Sequence, residues 1–197
     1  VKRVKKNELF RKAVHLFASI FPLFYISFFE EKQIILSFLV LLTIFSITIE
    51  ILRNKNNRLK LVFNYSFNSM LRETERNGKI TGATWLLIGL IITTYIYPKD
   101  IAVPAMIFLT VGDSFAAIIG KAIPLGQIGS KHISGSIAGL FISLIVVLII
   151  NQNISILVLF VGAIVAMFIE IIPLRVNDNI TIPIISGFAM QAMNELV

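Results

Sequence analysis

The sequence predicts an all-α fold, a polytopic transmembrane helical bundle of about seven spans, forming a single integral membrane domain over residues 1–197. Three observations predict it. Hydrophobic residues make up 56% of the chain and mean hydropathy is +0.86, too apolar for a soluble domain. Apolar runs of bilayer length alternate with short charged or proline-bearing turns. Lysine and arginine gather in alternate connections.

Residues 1–12 read as a basic arm carrying Lys2, Arg3, Lys5, Lys6, Arg11 and Lys12. The first span follows over 13–29 and stops at Glu30, Glu31 and Lys32. No small-residue cleavage motif follows it, so it reads as retained and not as a signal peptide. The second span, 33–52, is interrupted only by Glu50 near its end. Residues 53–79 are the longest polar section, with a weakly amphipathic middle over 59–71 that suits an interfacial helix. The third span covers 80–97 and is turned by Pro98, Lys99 and Asp100. The fourth covers 101–120 and the fifth 135–150, followed by a tight turn at Asn151, Gln152 and Asn153. The sixth covers 154–174, and a shorter seventh covers 180–193. With no cysteine, disulfides, thiolate catalysis and zinc-thiolate sites are excluded.

The net charge of +7 is distributed as a membrane surface requires, so nucleic acid is not the expected partner. The basic arm, then Arg53, Lys55, Arg58, Lys60, Arg72, Arg76 and Lys79, then Lys121 and Lys131, then Arg175 fall on one side. The other side has Lys32 and Lys99. By the positive-inside rule the amino terminus and the 53–79 connection are cytoplasmic. His15, Glu50, Glu75, Asp113, Lys131, Glu170 and Asp178 then share the cytoplasmic ends, where soluble nucleotides and metal ions are available.

The stretch 111–136 concentrates the chemistry. Asp113 lies in an apolar run, and a carboxylate at membrane depth is costly unless it is paired, coordinates a cation or lines a wet cavity. Gly112, Ala116 and Gly120 recur every fourth residue and give a helix a face of little bulk. Beyond them come Lys121, a loop broken by Pro124, Gly126 and Gly129, then Lys131, Gly135 and Ser136 at the next helix start, the parts of a phosphate-binding loop.

Other polar residues have plainer readings. Arg11, Lys12 and His15 could anchor the first span to anionic lipid, with Glu8 paired to Lys12 at i,i+4, although His15 sits among Val14, Leu16 and Phe17. Glu50 and Arg53 could neutralise each other, and Arg72, Glu73, Glu75 and Arg76 read as a solvated helix face. The Asn177, Asp178, Asn179 run is turn chemistry. In combination, Asp113, Glu170, Asp178 and Asn179 are hard oxygen ligands of the kind that bind Mg2+ together with substrate phosphates. Lys131 and the amides opening the fifth span supply the opposite charge, a set suited to phosphoryl or nucleotidyl transfer.

Arg11-Lys12-x-x-His15, Gly112-Asp113-x-x-Ala116-x-x-x-Gly120-Lys121, Lys131 followed by Gly135-Ser136, and Glu170 with Asp178-Asn179 and Pro183 together resemble the CTP-dependent lipid-alcohol kinases: dolichol kinase, phytol kinase and CTP-using diacylglycerol kinase. The resemblance implies a multi-pass cell-membrane enzyme of lipid metabolism, its active site facing the cytoplasm, that moves the γ-phosphate of CTP to a lipid alcohol. The chain departs from the pattern at Ser134, where such kinases tend to carry glutamate, so no acid is carried over there. Phosphatidate cytidylyltransferase is similar over the Asp-x-x-Ala and Lys-x-x-x-Gly-Ser region but carries a His-Gly-Gly element lacking here. A non-enzymatic membrane module or small-solute carrier is the remaining alternative.

On the kinase reading, Asp113, Glu170, Asp178 and Asn179 hold the metal. Lys131, Gly112, Gly120, Lys121, Gly135 and Ser136 hold the nucleotide, and Arg11, Lys12 and Arg72 face its phosphates. An acid or His15 takes the proton of the lipid hydroxyl, which enters along the small faces of Gly112, Ala116, Gly135 and Gly139. Neither the lipid nor the oligomeric state is written in the residues.

Overall fold

A computed structural model describes residues 4–150, 153–174 and 176–197. Lys2 and Arg3 of the basic arm, Asn151 and Gln152 of the expected tight turn, and Arg175 of the sixth connection lie outside the described residues.

The first expected span is two helices, α1 (Lys6–Phe17) and α2 (Ile20–Phe28). They bend between Ala18 and Ser19 because Pro22 has no N–H to give the carbonyl four residues back. Helix α1 begins seven residues before the expected start of the span, so residues 6–12 of the basic arm are helical, and Lys12 is carried into the protein while Lys6, Asn7 and Leu9 stay exposed. Helix α3 (Lys32–Lys55) has 24 residues, about 36 Å at 1.5 Å per residue, enough to cross a hydrocarbon core of about 30 Å. Helix α4 (Asn57–Ser66) starts at Asn56, whose Oδ1 accepts from Arg58 N at 2.9 Å, an ordinary N-cap. A single turn, α5 (Glu73–Arg76), leads to α6 (Gly82–Ile96).

Helix α7 (Lys99–Ile107) continues through a π-helical turn, Phe108–Gly112, into α8 (Asp113–Ala122). In that turn Asp113 N donates to Phe108 O, five residues back, and such turns are frequent at functional sites. This segment is the centre of the bundle: 83% of its most apolar window is buried, against 22–33% for the three other long apolar segments. Every residue from Ile101 to Ser114 is buried.

The glycine-bearing loop is a two-stranded antiparallel hairpin, β1 (Gln127–Ile128) and β2 (Lys131–His132), pairing Gln127 with His132 and Ile128 with Lys131. Gly129 opens its two-residue turn at φ +59°, the position where a type II′ turn takes glycine. Helices α9 (Ile133–Ile150), α10 (Ile156–Ile171) and α11 (Asp178–Asn194) complete the chain, with α9 packed on α8 and α10, and α11 on α10, α6 and α7.

Four segments, Lys6–Phe28, Lys32–Lys55, Lys99–Ala122 and Ile133–Ile150, are long and apolar enough to cross a membrane. Gly82–Ile96 and Ile156–Ile171 are apolar but shorter, and the expected seventh span lies within α11. Phe38, Leu41, Phe45, Phe141, Ile145, Ile149 and Phe168 are all exposed, an apolar belt far beyond what a soluble surface carries. The two lysines of the lightly charged side cap backbone there: Lys32 Nζ donates to Tyr95 O and Tyr97 O at 2.6 and 3.2 Å, and Lys99 Nζ to Phe29 O at 2.9 Å.

Candidate functional site

Asp113 opens α8 and is buried, yet it is not isolated. Lys12 Nζ donates to its Oδ2 at 2.5 Å, and His15 Nδ1 stands 3.4 Å from the same oxygen without completing a hydrogen bond to any described residue. Lys12 and His15 lie three apart on α1 and so face α8 together. The expected Glu8–Lys12 pair is therefore not formed. Glu8 pairs with Arg11 at 3.1 Å and with Lys121 at 2.9 Å, and Lys12 is buried against Asp113 instead of anchoring lipid. Burying a lysine is tolerable here because its charge meets a buried carboxylate.

The hairpin aims Lys131 at the opposite wall. Its Nζ donates to the Glu170 carbonyl at the end of α10 and to Asp178 Oδ2 at 2.8 Å, and lies 3.4 Å from Glu170 Oε1. Burial draws the Lys131 ammonium down, but the charge of Glu170 and the hydrogen bond and charge of Asp178 outweigh it, and the group titrates above the ordinary lysine value. Asn177 is the N-cap of α11, its Oδ1 accepting from Asn179 N at 3.0 Å, which puts Asp178 on the first turn. Lys131 thus ties the carboxyl end of α10, where the helix dipole favours a cation, to Asp178 on the first turn of α11, where the dipole favours a carboxylate.

A third cluster was not legible as a unit. Glu50 and Arg53 pair as expected, but Arg53 also donates to Glu75 O at 2.9 Å and Lys79 O at 2.7 Å. Glu50 Oε1 accepts from Thr81 N at 2.9 Å. Glu75 is buried, accepting from Arg72 N at 2.7 Å and Gly82 N at 2.8 Å, so it is no part of a solvated face. Because backbone donors in a turn must be satisfied somewhere, these two carboxylates and one guanidinium fold the 72–82 segment and set Arg72 at the site.

Two polar cavities, of about 640 and 510 Å³, share Arg11, Lys12, Arg72, Asp113 and Asp178. Both volumes fall within the ordinary range for ligand pockets. The first extends to Lys79, Trp85, Asn177 and Asn179. The second extends to Ala116, Gly120, Lys121, Lys131, His132 and Glu170.

Several expected roles are corrected by packing. Gly112, Gly135, Ser136 and Gly139 line neither cavity. A Cβ on Gly135 would sit 2.1 Å from Ala116 O, and one on Gly139 2.6 Å from Gly112 O, so the small-residue faces of α8 and α9 are pressed together and leave no slot for a lipid. Ser136 donates to Glu170 Oε2 at 2.8 Å and orients that carboxylate instead of a phosphate. The four expected metal ligands do not meet at one point, since Glu170 lines the second cavity and Asn179 the first. Asn179 Nδ2 donates to Gly82 O at 3.0 Å and ties α11 to α6.

Among the described residues, no three acids or histidines assemble into a cation cage. Asp113 and Asp178, whose Oδ2 atoms sit on Lys12 and Lys131, are hard oxygen donors on the wall common to both cavities, the donor type of a magnesium site, which needs one or two carboxylates when phosphates supply the rest.

Over 182 aligned residues the chain is 29% identical to the uncharacterized protein RP860 of Rickettsia prowazekii (strain Madrid E), with 88% of each chain covered. No family model matches the chain, and no solved structure matches it. The similarity to the Rickettsia protein extends along nearly the whole length and is not confined to one motif.

Proposed function

We propose that this protein is a membrane kinase that transfers the γ-phosphate of CTP, with Mg2+, to the hydroxyl of a lipid alcohol, with its active site at the cytoplasmic face of a seven-span bundle. One observation carries the reading: carboxylates from α8, α10 and α11 and cations from α1, the N-cap of α5 and the hairpin line two adjoining cavities large enough for a nucleoside triphosphate. Catalysis of phosphoryl transfer consists mainly of positioning and charge neutralisation, which such a set supplies. The order of motifs along the chain, from Arg11-Lys12-x-x-His15 to Asp178-Asn179, supports CTP and a lipid alcohol by resemblance to the lipid-alcohol kinases. The positive-inside distribution supports the orientation.

In the proposed reaction the lipid oxygen attacks the γ-phosphorus, the bond to the β-phosphate oxygen breaks, CDP leaves and the hydroxyl proton passes to a base. Asp113 and Asp178 would hold magnesium, which neutralises charge on the β- and γ-phosphates when bound. Arg11, Arg72 and Lys131 counter the remaining phosphate charge. Lys12 holds the Asp113 carboxylate in place. His15 is the candidate base, because its Nδ1 is buried beside Asp113 without a completed hydrogen bond among the described residues.

The test uses purified protein and CTP labelled at the α- or γ-phosphate, offered diacylglycerol, a polyprenol, an isoprenoid alcohol or phosphatidate. Transfer of γ-label to an alcohol is expected. Transfer of α-label to phosphatidate would replace this reading with cytidylyltransfer, and absence of both labels from lipid would leave a non-enzymatic membrane module or a carrier.

A further inference from the structure

A third cavity, of about 240 Å³, lies between α1, α3, α4 and α6 and is walled by Val14, Ile49, Phe63, Phe67, Met70 and Leu71. We propose that it seats the lipid substrate, taking the hydrocarbon segment next to the polar head and leaving that head at Arg11 and His15. The identity of the head as a hydroxyl rests on the kinase reading; the cavity as a lipid seat does not.

Four observations carry the assignment. The cavity shares Arg11, His15, Glu75 and Gly82 with the larger polar cavity, so a chain held here delivers its head to that cavity. The acids on its wall are already engaged, Glu50 with Arg53 and Thr81 N, and Glu75 with Arg72 N and Gly82 N. His15 Nδ1, which completes no hydrogen bond to any described residue, and Arg11, which gives one N–H to Glu8, face the ligand head. Helix α4, which forms the outer wall, has no buried residue and exposes Leu61, Val62 and Tyr65, as a helix lying in the membrane interface does. A chain can therefore enter from the bilayer beneath it. Finally, the α8–α9 seam, the route that the small residues suggested, is closed by backbone contact.

Size sets the stoichiometry of the fit. At about 240 Å³ the cavity is smaller than pockets that enclose whole drug-sized ligands, roughly 300–1,000 Å³. It holds one chain segment near the head, and the remainder of the lipid stays in the membrane.

The experiment uses the full chain in phosphatidylcholine nanodiscs with a photoreactive hexadecanol whose diazirine sits a few carbons from the hydroxyl. Irradiation followed by peptide mass spectrometry should find adducts on the segments around Val14 and over 63–71. Val14→Phe, which fills the cavity, should lose them, whereas Met70→Ala, which enlarges it, should keep them; unchanged elution on gel filtration shows that each variant is folded. Adducts confined to the exposed faces of α3 and α9, or unaffected by Val14→Phe, overturn the assignment. Competition by diacylglycerol or farnesol supports both the cavity and the alcohol reading. Competition by phosphatidate alone keeps the cavity as the lipid seat and overturns the alcohol reading, and competition by none of the three overturns the cavity.

Discussion

Lys12 and Asp113 are 101 residues apart in sequence and meet as a buried ion pair, Nζ to Oδ2 at 2.5 Å. The pair fastens α1 to the central segment at the point where both polar cavities meet. Lys12→Met leaves the Asp113 carboxylate buried without its cation, a change that costs about 3–5 kcal/mol in comparable pairs. The expected outcome is a clear drop in thermal unfolding temperature in detergent, with part of the loss recovered in the Lys12→Met/Asp113→Asn double variant. Strict additivity of the two single effects would show that the pair contributes no coupling.

Asp113→Asn should abolish phosphate transfer, since an amide cannot hold magnesium as a carboxylate does; because it also leaves Lys12 buried without its carboxylate, turnover is read on the fraction that elutes as folded protein on gel filtration. Turnover with γ-labelled CTP is the readout. Wild-type activity in this variant would remove Asp113 from the reaction.

The guanidinium of Arg53 makes three hydrogen bonds at once, to Glu50, Glu75 O and Lys79 O, and lies over the Phe63 ring. Arg53→Lys cannot reproduce that fork, so it should fail to restore what Arg53→Met loses. In both variants hydrogen exchange should rise over residues 72–82, and phosphate transfer should fall because Arg72 is no longer held at the cavity wall. Unchanged exchange in Arg53→Lys would show that charge alone organises the segment.

Trp85 is the single tryptophan and lines the larger polar cavity. Its emission should change when CTP and Mg2+ are added to the purified protein, and Trp85→Phe should remove the signal. Lys131→Ala should raise the CTP concentration needed for the change without altering the lipid requirement for turnover. An emission insensitive to nucleotide would argue against nucleotide in that cavity.

Lys131 titrates above its ordinary value because Glu170 and Asp178 outweigh the effect of burial. Its folded-state pKa therefore exceeds the unfolded one, near 10.4, and the protonated form stabilises the fold. That contribution is complete below the unfolded value and is lost as pH climbs through the folded one. Thermal unfolding measured between roughly pH 9 and pH 12 should show an alkaline loss of stability that Lys131→Met flattens. Identical alkaline profiles in the two proteins would contradict the assignment.

The sequence by itself determined that this chain is helical and apolar enough for a membrane, and it made Asp113 and Glu170 conspicuous, because a carboxylate within an apolar run is expensive wherever the run packs. Those are properties of neighbours in the chain, summed over a window. What only the tertiary structure decided was the partner of each charge: Lys12 for Asp113, Lys131 for Glu170 and Asp178, Arg53 for the backbone of the 72–82 segment. It also decided that the glycines of α8 and α9 meet each other and leave no passage, and that an apolar cavity opens beneath α4 instead. Which side chains face each other across two helices depends on crossing angle and register, and a π-helical turn before Asp113 alters that register in a way no hydropathy pattern records.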